Sequence, residues 1–205
     1  ESLDGFLRQC ASDYVVAKRS PARLLEQMMY YRSVAGSDDT EVNVEEVDLD
    51  LDGQSDRWLV TIASGNAQPK LQMGKIANYL GSQGLSIRRV YLDLMEDERN
   101  AHPVMMLRLL VARTADDSDA PVPCADTLSA DVKKLKWIDD RVIKMADQHR
   151  SLDFGRAEII VALANLVHGP LSKRNRHAFT RDELFRLLNK TEHLKIADDI
   201  ARLFI

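Results

Sequence analysis

"VTIASGNAQPKLQMGKIANYLGSQGLSIRRVYLDL", residues 60–94, decides how this chain folds. An apolar run enters a short turn holding Gly65 and Asn66. Leu71, Ile76, Tyr79 and Leu80 then recur at helical spacing, and Gly84 stands where a helix ends. A second β-rich run, "LSIRRVYLDLM", follows. A strand, a small-residue turn, a helix and a returning strand also begin a nucleotide-binding unit, so the surrounding elements must settle the topology.

Downstream, "HPVMMLRLLVAR" reads as another strand after the polar turn "EDERNA". Only nine residues lie between Leu94 and Val104, too few for the crossover of a dozen or more that parallel strands need, so this pair is expected to be antiparallel. Upstream, "EVNVEEVDLDLDG" alternates through Val42, Val44, Val47, Leu49 and Leu51, with a slip at Glu45-Glu46 that suggests a bulge. An Asp52-Gly53 hairpin turn leads from it into "RWLVTIAS", residues 57–64. The order β-β-α-β-β predicts an α+β fold with a ferredoxin-like antiparallel sheet rather than a doubly wound parallel one.

The flanks read as helical. Residues 2–35 predict two helices, the second opened by Ser20 as N-cap and Pro21 at the first helical position, and ended at Gly36. After the polar, Pro-containing "TADDSDAPVPCADT" (residues 114–127), "LSADVKKLKWIDDRVIKMADQH" gives one or two helices. "FGRAEIIVALANLVHGP" gives an apolar helix closed by Gly169 and Pro170, with His168 at its end suiting the helix dipole. Thr180 and Glu183 form a capping box, and a last helix begins near Glu192. The expected domains are a helical lead at 1–36, an α+β domain at 37–123 and a helical domain at 124–205.

The whole chain of 205 residues carries a net charge of −4, with 45% hydrophobic and 29% charged residues, the profile of an ordinary globular protein. Residues 36–123 hold 16 acidic and 8 basic residues, whereas 141–205 hold 8 acidic and 12 basic, which favours two modules and a complementary contact. No apolar run approaches the roughly 20 residues of a membrane span. No secretory leader opens the chain, and Cys10 and Cys124 are far apart, so a reducing, cytoplasmic location is expected. The start at Glu1 and the stop within the stripe Ile196, Ile200, Leu203 and Phe204 lead us to expect a piece of something longer.

Little in the residues points to catalysis. "SGNAQP" has one glycine, not the several of a phosphate-cradling loop, so a nucleotide is not expected there. The turn Ser64, Gly65, Asn66 and Ala67, at a helix N-terminus, suits a small carboxylate or amino acid, or is a plain structural turn. Asp48, Asp50, Asp52, Gly53 and Asp56 match five positions of a calcium loop, but Leu59 stands where a bidentate Glu is needed. A solvated strand edge explains them better. His102, His149, His168, His177 and His193 lack zinc spacing, no G-x-S-x-G occurs, and no metal site or catalytic residue is expected. The basic cluster "SKRNRH", residues 172–177, is short and belongs to an acidic chain, so nucleic acid is a minor alternative.

A β-α-β-β block with a small-residue turn after its first strand resembles an ACT-type regulatory domain, the amino-acid-sensing module of many metabolic enzymes. "FLRQCASDYV", "LVTIASGN", "GLSIRRVYLDLM", "DVKKLKWIDD", "RAEIIVALANLVHGPLSKRN" and "FTRDELFRLL" resemble the non-catalytic region ahead of the catalytic domains in large NAD-dependent glutamate dehydrogenases. That resemblance implies a regulatory or oligomerisation segment of an oxidoreductase interconverting glutamate and 2-oxoglutarate. NAD, the catalytic lysine and aspartate and the Rossmann glycine loop would then lie elsewhere in the parent. It also implies as partners the parent's catalytic region, further copies of the chain and a small amino-acid effector, with no membrane. The effector loop would be Ser64, Gly65, Asn66 and Ala67, and the strand from Val42 would stand in for a missing fourth ACT strand. A freestanding ACT-like sensor is the alternative.

Overall fold

A computed structural model of the chain describes residue 6 and residues 20–47, 57–96, 102–114, 124–149, 151–175, 177 and 179–204. Most of residues 2–19, the acidic stretch from Asp48 to Asp56 with its Asp52-Gly53 turn, and most of the polar segment 114–127 lie outside the described residues. The chain folds as two compact units, residues 1–137 and 138–205.

In the first unit, helix α1 (Pro21–Val34) precedes strands β1 (Thr40–Glu46) and β2 (Arg57–Ser64), helix α2 (Pro69–Ser82), strands β3 (Leu85–Met95) and β4 (Val104–Arg113), and helix α3 (Ala125–Lys134). The strands form one sheet in the order β1-β2-β4-β3 with every neighbouring pair antiparallel. β4 therefore lies between β2 and β3, the two strands joined through α2.

Local chemistry sets the ends of these elements. The Ser20 hydroxyl accepts a bond from the Arg23 N–H at 3.4 Å, with Pro21 in the first turn. Gly36 and Gly84 take φ of 79° and 71°, the left-handed values that end α1 and α2. The β1–β2 register runs without interruption from Thr40↔Ser64 to Glu46↔Trp58, so the expected slip at Glu45-Glu46 is not a bulge. The irregularity lies in β3 instead, where Ile87 faces Val111 and Arg89 faces Leu110, leaving Arg88 as the extra residue.

Side-chain alternation builds two cores. Val60, Ile62, Met105, Leu107, Leu109 and Val111 are buried on the face covered by α2 and α3. On the other face Ala63, Met95, Val104 and Met106 pack with Tyr31 and Val34 of α1 and with Phe6, whose ring meets Tyr31 edge-on at 5.7 Å. Each fully buried Leu or Met is worth roughly 1.5–3 kcal/mol. Tyr79 of α2 is fully buried and donates its hydroxyl to Asp131 of α3 at 2.9 Å, which ties the two helices together. Burial and the Asp131 charge hold the phenol well above its ordinary pKa, so it remains a donor. Because α3 packs on β1, it belongs to the sheet unit.

The second unit contains α4 (Asp140–Gln148), α5 (Phe154–Arg174), α6 (Arg181–Leu188) and α7 (Thr191–Ala201). Asp139, Asp153 and Thr180 cap α4, α5 and α6 by accepting from the Arg141, Arg156 and Glu183 N–H groups. The capping box is only half made, since the Glu183 carboxylate is taken by Arg186. α5 does not stop at Gly169-Pro170 but runs on to Arg174, so Lys173 and Arg174, not His168, occupy its last turn. No helix among the described residues is long and apolar enough to cross a membrane.

Candidate functional site

The β2–α2 turn singled out in the sequence is held from every side by its own chain. Ser64 ends β2 fully buried, its hydroxyl 3.1 Å from the Thr40 hydroxyl and accepting from Gln72 Nε2 at 3.0 Å. The Gly65 N–H donates to the Asp39 carbonyl at 2.9 Å, and the Ala67 N–H donates to the Pro103 carbonyl at 2.9 Å. Asn66 sits at φ 46°, a left-handed conformation that Asn tolerates better than most side chains, and its Nδ2 donates to Asp38 Oδ1 at 2.7 Å.

Two of the turn's N–H groups are thus committed within the chain, and its carbonyl side is occupied by a cation. Lys136, just past α3, donates from Nζ to the Gly65 carbonyl and the Asp38 carbonyl, both at 2.7 Å, with Asp38 Oδ1 at 3.6 Å. Burial lowers the Lys136 ammonium pKa, against the opposing pull of Asp38 and Asp39. The sequence holds no local signal of this contact, because Lys136 lies 71 residues from Gly65 and reads as one more charge in "KKLKW". Lys136→Met removes both charge-assisted bonds while keeping the alkyl stem. It should cost about 1–3 kcal/mol in a urea titration. An unchanged midpoint would mean that water replaces the ammonium without loss.

Beneath the turn, Thr40, Ser64, Gln72 and Lys136 border a cavity of about 10 Å³, closed by Ile62, Ile76, Met105, Val132 and Leu135. It is large enough for one water. Gln72 Oε1 on its wall and Asn66 Oδ1 in the turn are buried acceptors with no protein partner. Of the four residues expected to form an effector loop, Ser64 borders this cavity and Gly65, Asn66 and Ala67 do not line it, and the cavity has room for nothing bulkier than water.

The helical unit holds a larger hollow of about 190 Å³, lined by Ile160, Leu163, Ala164 and Val167 of α5, Leu184 and Leu188 of α6, and Ala197 and Ile200 of α7. Its walls are apolar and carry no titratable group. Of the stripe read from the sequence, Ile200 lines this hollow, and Ile196, Leu203 and Phe204 are exposed.

Histidines stay apart. His193 Nδ1 lies 2.8 Å from the Leu187 carbonyl at the α6–α7 junction, and His149 caps α4. Among the described residues no three His, Cys, Asp or Glu gather into a set that would hold a metal ion. The Asp48–Asp56 calcium-like pattern and Cys10 lie outside the described residues. Cys124 is exposed, and the Thr127 hydroxyl at 3.1 Å lowers its thiol pKa. The basic cluster leaves Lys173 and Arg174 exposed at the end of α5.

No protein-family model matches the chain, and no curated protein is significantly similar to it.

Proposed function

We propose that this chain is a non-catalytic regulatory and assembly segment of an NAD-dependent glutamate dehydrogenase, in which an ACT-like, ferredoxin-like sheet is followed by a helical segment. The observation that carries the fold part of this reading is the strand order β1-β2-β4-β3. β2, α2, β3, β4 and α3 follow one another as the first five elements of a ferredoxin-like unit do. β1, which precedes them in sequence, pairs with β2 at the edge a fourth strand would fill. The glutamate dehydrogenase part rests on the sequence resemblance of the quoted stretches, several of which fall on β2, β3, α5 and α6. On this reading NAD and the catalytic groups belong to the parent's catalytic region, the location is cytoplasmic, and the chain's own work is assembly.

A second reading, a freestanding sensor of a small amino acid, draws on Asn66. Its buried Oδ1 lacks a protein partner, at the turn where an effector's ammonium would find an acceptor.

The decisive experiment deletes this segment from the full-length enzyme and measures oligomeric state and effector response. Loss or change of either is expected. An enzyme that keeps both overturns the reading. A thermal-shift screen of the chain against amino acids addresses the sensor: a ligand at 100 times its Kd adds about 2.7 kcal/mol. A shift abolished by Asn66→Ala would replace assembly with sensing.

A further inference from the structure

We propose that the apolar hollow of the helical unit binds a medium-chain alkyl carboxylate, with the chain between α5, α6 and α7 and the head at Arg174 and Arg181. The inference goes beyond the assembly reading and does not depend on it.

The hollow has the size of a ligand cavity rather than of a packing gap. At about 190 Å³ it exceeds the roughly 150 Å³ at which an apolar protein cavity stays dry and takes up benzene. Aliphatic side chains of three helices wall it, and a site between the helices of a bundle is a common place for an apolar ligand. Ala164 of α5 and Ala197 of α7 keep it open, at positions where longer side chains would fill the space. Val167 and Ile200, 48% and 43% exposed, line it at the surface, so a ligand enters without unfolding the unit.

Positive charge stands at one end of the hollow. On α5 the lining face of Leu163 and Val167 continues at helical spacing to Arg174, and on α6 that of Leu188 and Leu184 continues back to Arg181. Two backbone bonds draw in the chain between the helices: Asn175 N–H donates to the Leu171 carbonyl at 3.1 Å and Phe179 N–H to the Asn175 carbonyl at 3.2 Å. Both arginines thus stand at the α5–α6 loop end, exposed, with Lys173 beside Arg174. Neighbouring carboxylates do not neutralise them, since Asp182 is bound to Arg141 at 2.9 Å and Glu183 to Arg186 at 2.9 Å. Among the described residues neither Arg174 nor Arg181 has an ion-pair partner. A guanidinium fork matches a carboxylate in geometry as well as charge. The rise of the helices puts Arg174 about 10 Å past Val167 and Arg181 about 5 Å past Leu184, so a head at the arginines and a tail in the hollow require a linear molecule. The basic cluster at residues 172–177, too short for nucleic acid, supplies one of the two arginines.

The test is calorimetric titration of the 205-residue chain with hexanoate, octanoate and decanoate, and with octanol and octylammonium as controls for charge. Affinity should rise about fourfold for each added methylene, the factor that burial of one such group gives. Octanoate should bind at least about tenfold tighter than octanol or octylammonium. Arg174→Gln and Arg181→Gln, both at exposed positions, should each weaken octanoate at least about fivefold while leaving octanol unchanged. Ala164→Leu narrows the hollow and should abolish the gain from octanoate to decanoate. Should that variant lose its far-ultraviolet circular dichroism, methyl resonances of the native chain decide. Octanoate must shift those of Leu163, Val167, Leu184, Leu188 and Ile200, and shifts confined to other residues overturn the site. No binding, an affinity indifferent to chain length, octanol equal to octanoate, or indifference to both arginine changes each overturns the proposal. Capture by phosphatidylglycerol vesicles without a response to free octanoate also overturns it, and gives the face to a lipid surface instead.

Discussion

Gly65→Ala is expected to destabilise the sheet unit by about 3 kcal/mol, at the upper end of what overpacking costs. A Cβ at this position would run into the carbonyl oxygens of Val34 and Ser37, both backbone atoms that no rotamer change can move aside. Neither carbonyl belongs to a loose segment. The Val34 carbonyl accepts from the Ser37 N–H at 3.1 Å and from its hydroxyl at 3.0 Å, and Gly36 between them holds its left-handed φ. The strain must therefore be relieved by parting the end of α1 from the end of β2. That movement would break the Gly65–Asp39 backbone bond and pull the Gly65 carbonyl from Lys136. Urea unfolding of the variant beside the parent measures the effect, and a loss under about 1 kcal/mol would show the α1–β2 junction to be soft. The glycine is thus required by a close approach of backbone, whether or not the turn ever meets a ligand.

Arg156→Met should cost the helical unit about 2–3 kcal/mol, since it leaves partly buried acceptors without their cation. The Arg156 guanidinium binds Asp153 at 2.6 Å, Asp198 of α7 at 2.8 and 3.0 Å, and the Ser151 carbonyl at 2.9 Å. It ties the start of α5 to α7. Without it Asp198, mostly buried, retains Arg202 at 3.0 Å. The same contacts set an acid limit. Desolvation pushes the Asp153 carboxyl up, but the Arg156 N–H, the guanidinium bond and its charge outweigh this and hold the pKa below the ordinary 3.8. The folded state binds this proton less readily than the unfolded one, so the contribution is complete above about pH 4 and is lost as pH falls through the lower folded value. In Arg156→Met that acid-dependent loss should shrink, and a pH series of thermal midpoints reads it. A slope equal to the parent's would place the acid sensitivity at other carboxylates.

The strands are legible in the sequence because their reasons are local. Nine residues between Leu94 and Val104 force an antiparallel pair, and Gly84 marks the end of α2 at the position where a positive φ appears. The bulge lies elsewhere than the paired glutamates at 45–46 suggest, although its signal is present. The spacing from Ile87 to Val90 breaks the alternation by one residue, whereas the strand that holds the glutamates keeps a regular register. Pro170 reads as a stop, yet α5 continues through it. The proline stands at an exposed position, as does Leu166 four residues before, so the carbonyl deprived of its donor is open to water. At the turn, the sequence identifies the residues Ser64 to Ala67 but not their surroundings. Asp38, Pro103 and Lys136 arrive from three distant segments, and only the assembled sheet unit brings them to one place.

The middle position of β4 has a consequence for how this chain is made. A ribosome delivers β1, β2, α2 and β3 before the strand that must lie between β2 and β3 has emerged. Until residue 113 has cleared the exit tunnel, the nascent chain holds a hairpin and a strand with no centre to join them, and the inner edge of β2 waits unpaired. Folding of the sheet is therefore a late, insertion-like step rather than a growth from the N-terminus, and the interval before it is when a holding chaperone would find its binding surface.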